Sequence, residues 1–126
     1  MPVNCNYKID KDYLYCTVSG KVTIDDFRNS IIRILNSDEI PHDTNALWDL
    51  RKMDFTSITK ELGDELINTR MMFPQRGTAR IALVVEDSFG FGLSRVYEML
   101  SGGLPQEMKV FMDVEEGEKW LAAVKA

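Results

Sequence analysis

The sequence is poor in the residues that most often bind metals or carry nucleophilic catalysis. Its 126 residues include one histidine, His42, and two cysteines, Cys5 and Cys16. The cysteines fit neither a CxxC motif nor a disulfide framework, so we expect both to pack as small apolar side chains. His42 lies beside Pro41 in a polar stretch, and the chain has no GxSxG motif. This combination argues against a hydrolase with a catalytic triad.

Two further absences concern partners and location. The chain carries 15 Lys and Arg against 20 Asp and Glu, a formal net charge of −5. This balance disfavours nucleic acids and anionic membranes, because both attract clustered basic side chains. No apolar run approaches the roughly 18 residues of a membrane span, and the N-terminal "MPVNCNYKIDKD" lacks the apolar core of a signal peptide. We therefore expect a cytoplasmic protein with no transmembrane segment.

Apolar residues make up 44% of the chain and are spaced as alternating strands and helices. A hairpin is predicted first, and a turn at Lys11 and Asp12 would place Cys5 diagonal to Cys16 on its buried face. Helical spacing begins after Thr23, the expected N-cap of a first helix. The short apolar segment "ALWDL" then predicts a third strand.

The rest of the chain repeats helix and strand. A second helix is predicted before Pro74, "ARIALVV" suits a central parallel strand, and "MKVFM" predicts the last strand. A third helix separates these two strands, and a fourth begins after Asp113. The inward residues of the fourth helix are predicted to be Val114, Trp120, Leu121 and Val124. The resulting order, β-β-α-β-α-β-α-β-α, indicates one α/β domain over residues 1–126, with a mixed five-stranded sheet, four helices and right-handed crossovers.

The segment "VVEDSFGFGLSRVYEML" raises the question of a phosphate-binding loop. A dinucleotide fingerprint requires GxGxxG, whereas here Gly90 and Gly92 are followed by Arg95 at the third position. The chain also lacks a GxxxxGK[ST] loop. We interpret the segment as a strand that turns tightly into a helix capped by Asp87 or Ser88.

Carboxylates follow three of the predicted parallel strands. Asp49 follows the third strand, Glu86 and Asp87 the fourth, and Asp113 the fifth. Such an edge of an open α/β sheet often binds ligands, and an Mg²⁺-dependent phospho-acceptor would use Asp49 and Asp87. A receiver domain, however, needs an acidic pair after its first strand and a lysine after its fifth. Capping explains Asp87 and Asp113 without metal, so we predict no metal and no cofactor and keep the phospho-acceptor as the least favoured alternative.

Four segments, taken in order, resemble the SpoIIAA-like family. They are "YLYCTVSGKVTIDDFRNSI", "LWDLRKMDF", "IALVVEDSFGFGLSRVYEML" and "VFMDVEEGEKWL", and together they span about Tyr7 to Leu121. The family is related to STAS domains (sulfate transporter and anti-sigma factor antagonist) and shares a fold superfamily with lipid-binding Sec14-type domains. The resemblance implies helices mainly on one side of the sheet and a cytoplasmic bacterial protein with no established catalysis.

The resemblance also implies a place to look for phosphorylation. Anti-sigma antagonists of the STAS type carry a phosphorylatable serine in a DSxG context, at the start of the helix after the third strand. Here that position falls near Ile58, between Ser57 and Thr59, with no following glycine. The chain departs from the phospho-switch pattern, although Ser57 at a helix N-terminus would still suit a phosphate.

Two functional hypotheses follow. The first is a non-catalytic regulatory module that acts through a protein partner, as a homodimer if the sheet face bearing Tyr13 and Tyr15 is uncovered. The second is a domain that binds a small apolar ligand or lipid in a pocket near the strand ends. The candidate pocket residues are Trp48, Phe55, Met71, Met72, Phe89 and Phe91. The other candidates for ligand or partner binding are Asp49, Ser57 and Asp87.

Overall fold

The computed structural model describes residues 2–123, and its elements follow the predicted order. The strands are β1 (Val3–Lys8), β2 (Tyr13–Gly20), β3 (Asn45–Met53), β4 (Arg80–Val84) and β5 (Glu107–Phe111). The helices are α1 (Ile24–Asn36), α2 (Lys60–Met71), α3 (Ser88–Leu100) and α4 (Val114–Ala122). Short 3₁₀ turns, Phe55–Ser57 and Pro74–Arg76, flank α2. The predicted α/β class, mixed five-stranded sheet and four helices are confirmed, while Val124 lies outside the described residues.

The sheet follows the chain, with strand order β1-β2-β3-β4-β5. β1 pairs antiparallel with β2, and the other three pairs are parallel. Each parallel pair is joined through one helix, α1, α2 or α3, as parallel pairing requires. The carboxyl ends of β2 to β5 therefore meet at one edge of the sheet.

The hairpin differs from its prediction in register. Residues 9–12 form a four-residue turn in which Asp12 has a φ of +53°. Cys5 consequently pairs directly with Cys16, so the predicted diagonal placement is wrong. The shift is by two residues, one full side-chain repeat, and therefore leaves the same residues on the buried face. Cys16 is fully buried and Cys5 is half-buried, both as free thiols.

Three helices lie on one face of the sheet and one lies on the other, as the family resemblance implies. Phe27 of α1, Leu66 of α2 and Tyr97 of α3 pack on one face. On the opposite face α4 packs Leu121 into a cluster with strand residues such as Leu47. We call these the three-helix face and the α4 face. Of the residues of α2, only Thr69 is fully buried.

Candidate ligand-binding site

A cavity of about 360 Å³ lies on the three-helix face, between the sheet and α1, α2 and α3. Small-molecule sites typically measure about 300–1,000 Å³, so this cavity suits a small ligand. Its apolar lining includes Phe27, Ile34, Trp48, Leu50, Phe55, Leu66, Leu83 and Leu93. The rings of Phe27 and Trp48 lie 5.9 Å apart, which makes part of this wall aromatic.

The sequence of α2 explains why this space stays open. Gly63 lines the cavity, and a Cβ built on it would meet no atom within 4 Å. One turn further along, Leu66 is only half-buried, although it packs against the core. Because α2 presents a glycine and a partly buried leucine to the sheet, it covers the sheet without filling the space above it.

One end of the cavity is polar and is organised by Arg70, near the end of α2. Nη1 of Arg70 donates to Tyr97 Oη at 3.1 Å and to Ser101 Oγ at 3.0 Å. Its Nη2 donates to Gln106 Oε1 at 3.3 Å. Gln106 is itself fixed, because it donates to the carbonyl of Gly77 at 2.6 Å. All the partners of the guanidinium are thus neutral groups.

A second arginine, Arg76, also lines the cavity. Its Nη1 donates to the carbonyl of His42 at 2.6 Å. Burial lowers the pKa of Arg76, the charge of Arg70 lowers it further, and the negative charge of Asp43 opposes both effects. A guanidinium nevertheless stays protonated in proteins, so this end of the cavity carries two positive charges, while a third basic side chain, Lys60, lines the cavity at the start of α2. Within residues 2–123, no carboxylate forms an ion pair with either arginine.

Two of the six predicted pocket residues line the cavity, namely Trp48 and Phe55. Phe91 is half-buried and packs against the core instead. Three others are outside the lining and exposed, with relative accessibilities of 63% for Met71, 66% for Met72 and 55% for Phe89. Two of the predicted residues therefore border this cavity, and their binding of a ligand stays a prediction.

The tyrosine face is covered by α4. Tyr13 is 5% exposed, and its Oη donates to Glu118 of α4 at 2.6 Å. Tyr15 Oη donates to Asp49 Oδ2 at 2.7 Å. The homodimer hypothesis required that the sheet face bearing Tyr13 and Tyr15 be uncovered. Because α4 covers this face, that condition is not met.

Asp49 is engaged by neighbours on the α4 face. Arg51 donates to both of its carboxylate oxygens, through Nε and Nη2, each at 2.8 Å. Hydrogen bonds from Arg51 hold the pKa of Asp49 below its usual value, and the Tyr15 hydroxyl adds to this effect, while burial opposes it. Among the residues that the structure describes, no group of three His, Cys, Asp or Glu side chains is placed to hold a metal ion.

The glycine-containing segment is a tight strand-to-helix turn, as predicted. Asp87 is the N-cap of α3, and its Oδ1 accepts from the backbone N–H of Gly90 at 2.8 Å. A Cβ at Gly90 would lie 3.0 Å from Cε2 of Phe55. Glycine is thus required here for close packing against Phe55. The carboxylate of Asp87 already accepts the hydrogen bond from the Gly90 amide that a phosphate at this helix N-terminus would need.

Ser57 ends the 3₁₀ turn that precedes α2. Its half-buried side chain donates to the carbonyl of Asp54 at 2.8 Å. The N-cap of α2 is Thr59, which accepts from the backbone N–H of Leu62 at 3.1 Å. Ser57 therefore lies before the helix start rather than at it, and its phosphorylation stays a prediction.

Sequence reasoning missed the polar end of the cavity. Arg70 carried a detectable signal, because it continues the four-residue spacing of Ile58, Leu62 and Leu66 and places a charge on an apolar helix row. Gln106 carried no such signal, since it lies in the polar connection between α3 and β5.

Comparisons with known proteins agree on the fold. A family profile described as SpoIIAA-like matches residues 13–122. A crystal structure of an uncharacterized protein from Shewanella loihica PV-4, with a SpoIIAA-like fold, superposes with a TM-score of 0.64. It is 20% identical in sequence, and the alignment covers 94% of this chain and 91% of that one. No curated protein matches the sequence. Over the residues described, no helix is long and apolar enough to cross a membrane.

Proposed function

Because this chain belongs to the SpoIIAA-like family, we propose that it is a non-catalytic cytoplasmic binding module whose ligand is a small apolar or amphiphilic molecule. The observation that carries the proposal is the cavity of about 360 Å³ on the three-helix face. Its wall is mostly apolar and carries a few polar groups, which is the usual character of a small-molecule site. These are Thr59 and Lys60 at the start of α2, Ser94 in α3, and the groups around Arg70 near the end of α2.

The chemistry of the cavity favours binding over catalysis. Among the residues that the structure describes, the lining includes no cysteine, histidine or carboxylate, so the hydroxyl groups of Thr59 and Ser94 have no such group beside them in the lining to act as a general base. The driving force for binding would be removal of apolar surface from water, worth about 0.8 kcal/mol per buried methylene group. The ligand class that fits this proposal is therefore a linear or compact apolar molecule.

The protein contains its own reporter for this proposal. Trp48 lines the cavity, whereas Trp120, the other tryptophan, packs with Phe111 on the α4 face. In a Trp120→Phe background, fluorescence reports on Trp48 alone. We expect titration with 1-decanol to change this fluorescence with saturation, because the ligand displaces water from around the indole ring.

A glycine pair provides the blocking variant and its control. Gly63→Leu places a side chain in the cavity, so we expect it to abolish the saturable response of Trp48. Gly92, in α3, also has no atom within 4 Å of a built Cβ but lies outside the lining. Gly92→Leu is therefore expected to bind as the parent does. Equal binding by both variants, or no saturable response in the parent, would count against the proposal.

A protein partner remains a second candidate, favoured by a different observation. Three apolar side chains in the second half of α3 are more than half exposed: Val96 at 53%, Met99 at 72% and Leu100 at 54%. Exposed apolar groups that lie together often mark an interface, and the simplest partner would be a second copy of the chain. Sedimentation at micromolar concentration tests this, and a strict monomer would remove the homodimer.

A further inference from the structure

The two arginines that line the cavity form no ion pair within residues 2–123. Arg70 and Arg76 both line the cavity, and their contacts are hydrogen bonds to hydroxyl, amide and carbonyl groups. The ion pairs among residues 2–123 involve other side chains, so no carboxylate pairs with either guanidinium group. The basic end formed by Arg70 and Arg76 therefore faces a mostly apolar space, in which the other polar lining residues are Thr59, Lys60 and Ser94.

Such an arrangement favours an anion over a neutral ligand. A half-buried guanidinium loses part of its hydration, and neutral acceptors compensate this loss only partly. A negative group that enters the cavity would regain the missing Coulomb energy in a medium of lower dielectric than water. The planar fork of an arginine also matches the two oxygens of a carboxylate.

Arg70 still has donor capacity for such a group. Its three hydrogen bonds use both protons of Nη1 and one of Nη2. A guanidinium has five N–H donors, so Nε–H and one Nη2–H remain for a ligand. Tyr97 adds another donor, because its Oη accepts from Arg70 and keeps its own proton.

The volume gives the scale of the ligand tail that the cavity can cover. Water occupies about 30 Å³ per molecule in the liquid, so a cavity of about 360 Å³ holds roughly a dozen non-hydrogen atoms of that size. A carboxylate with a linear chain of about ten carbons has this size. The apolar lining would contact the chain, and the basic end would meet the head group.

We propose that the cavity binds a single-chain anionic amphiphile of medium length, with its carboxylate held by Arg70 and attracted by Arg76. This inference rests on the proposed binding function and deepens it by naming the charge of the ligand. Arg70 is the specificity residue: it adds affinity for the acid and adds none for a neutral molecule with the same tail.

The test compares three probes with the same ten-carbon tail by Trp48 fluorescence in the Trp120→Phe background. They are decanoate, 1-decanol and decyltrimethylammonium, all below their micelle concentrations. We expect decanoate to bind about tenfold or more tightly than 1-decanol, as one charge-assisted hydrogen bond implies. The cation is expected to bind most weakly. Saturable binding of all three with equal affinity would overturn the anion preference and leave the proposed function intact.

Variants then assign the preference to a residue. Arg70→Met is expected to remove most of the preference for decanoate over 1-decanol and to leave the weaker attraction of Arg76, while Arg70→Lys keeps a preference for the acid. Arg28 pairs with Asp25 on the exposed side of α1, so Arg28→Met is a control for lost positive charge. A preference for decanoate that is undiminished in folded Arg70→Met would overturn the role of Arg70. If Arg70→Met does not fold, Arg70→Lys and the three-probe comparison decide the matter. Absence of any saturable binding would overturn both proposals.

Discussion

Two helices on opposite faces of the sheet, α4 and α2, use glycine in opposite ways. On the α4 face, a Cβ at Gly117 would lie 3.2 Å from Cδ1 of Leu47, so the helix sits directly on the strands. On the three-helix face, a Cβ at Gly63 would meet nothing within 4 Å. The first glycine permits close packing and the second leaves space unfilled. A glycine in a helix can therefore permit close packing or leave a space unfilled. The side chains of the sheet opposite the glycine determine which of these occurs.

Charge is distributed between the faces in the same contrasting way. On the α4 face, carboxylates are matched with donors: Glu118 with Tyr13 and Lys11, and Asp49 with Tyr15 and Arg51. On the three-helix face, Arg70 has only neutral partners. We infer that the α4 face stabilises the fold, while the three-helix face is adapted to a ligand. Each prediction below tests one part of this contrast.

The largest expected difference is between two leucine truncations. Leu121→Ala on α4 should lower the free energy of unfolding by about 2–5 kcal/mol, because it empties a packed site. Leu66→Ala on α2 should lower it by less than half as much, since Leu66 is half-buried and already borders a cavity. Urea denaturation of both variants measures the difference. Equal losses would show that the three-helix face is packed as tightly as the α4 face.

A smaller difference is expected between two glycine substitutions. Gly63→Ala should raise the free energy of unfolding by about 0.5–1 kcal/mol, because alanine favours the helix and the new methyl group has room. Gly117→Ala gains the same helix propensity but must push against Cδ1 of Leu47 at 3.2 Å. We expect no net stabilisation from it. Thermal melts of the pair are sufficient, and a stabilised Gly117→Ala would contradict close packing under α4.

The fold was predictable because each element carries its own local signal. The Thr23 capping box with Asp26 and the Asp87 cap were readable in the sequence and are present in the structure. The hairpin register was not, because turns of different length preserve the same alternation of buried residues. The cavity wall was only partly predictable, since helical spacing does not reveal whether α2 touches the sheet. Arg70 was detectable as a charge in an apolar row, but its partners Ser101 and Gln106 come from distant parts of the chain.

The smallest expected effect concerns pH. It distinguishes Asp49, which is paired with Arg51, from Arg70, which has no carboxylate partner in the described chain. The pKa of Asp49 is held below its ordinary value of 3.8 in the folded protein, first by Arg51. A carboxyl group with a depressed folded pKa stabilises the fold above its unfolded pKa, and that contribution is lost as pH falls through the folded pKa. Asp49→Asn should therefore be less stable than the parent at pH 7, by at most about 1 kcal/mol for a partly exposed pair.

The stabilities of the parent and of Asp49→Asn should converge in acid. Protonation of Asp49 in the parent removes the same negative charge that the substitution removes in the variant. The difference in urea midpoint between them should shrink from pH 7 to pH 3. Arg70→Met provides the matched comparison, since Arg70 has no carboxylate partner in the described chain and its loss removes no carboxyl titration. Its difference from the parent should stay constant over this range. A difference that also shrinks for Arg70→Met would reveal a carboxylate coupled to the cavity, and the charge contrast between the two faces would then be wrong.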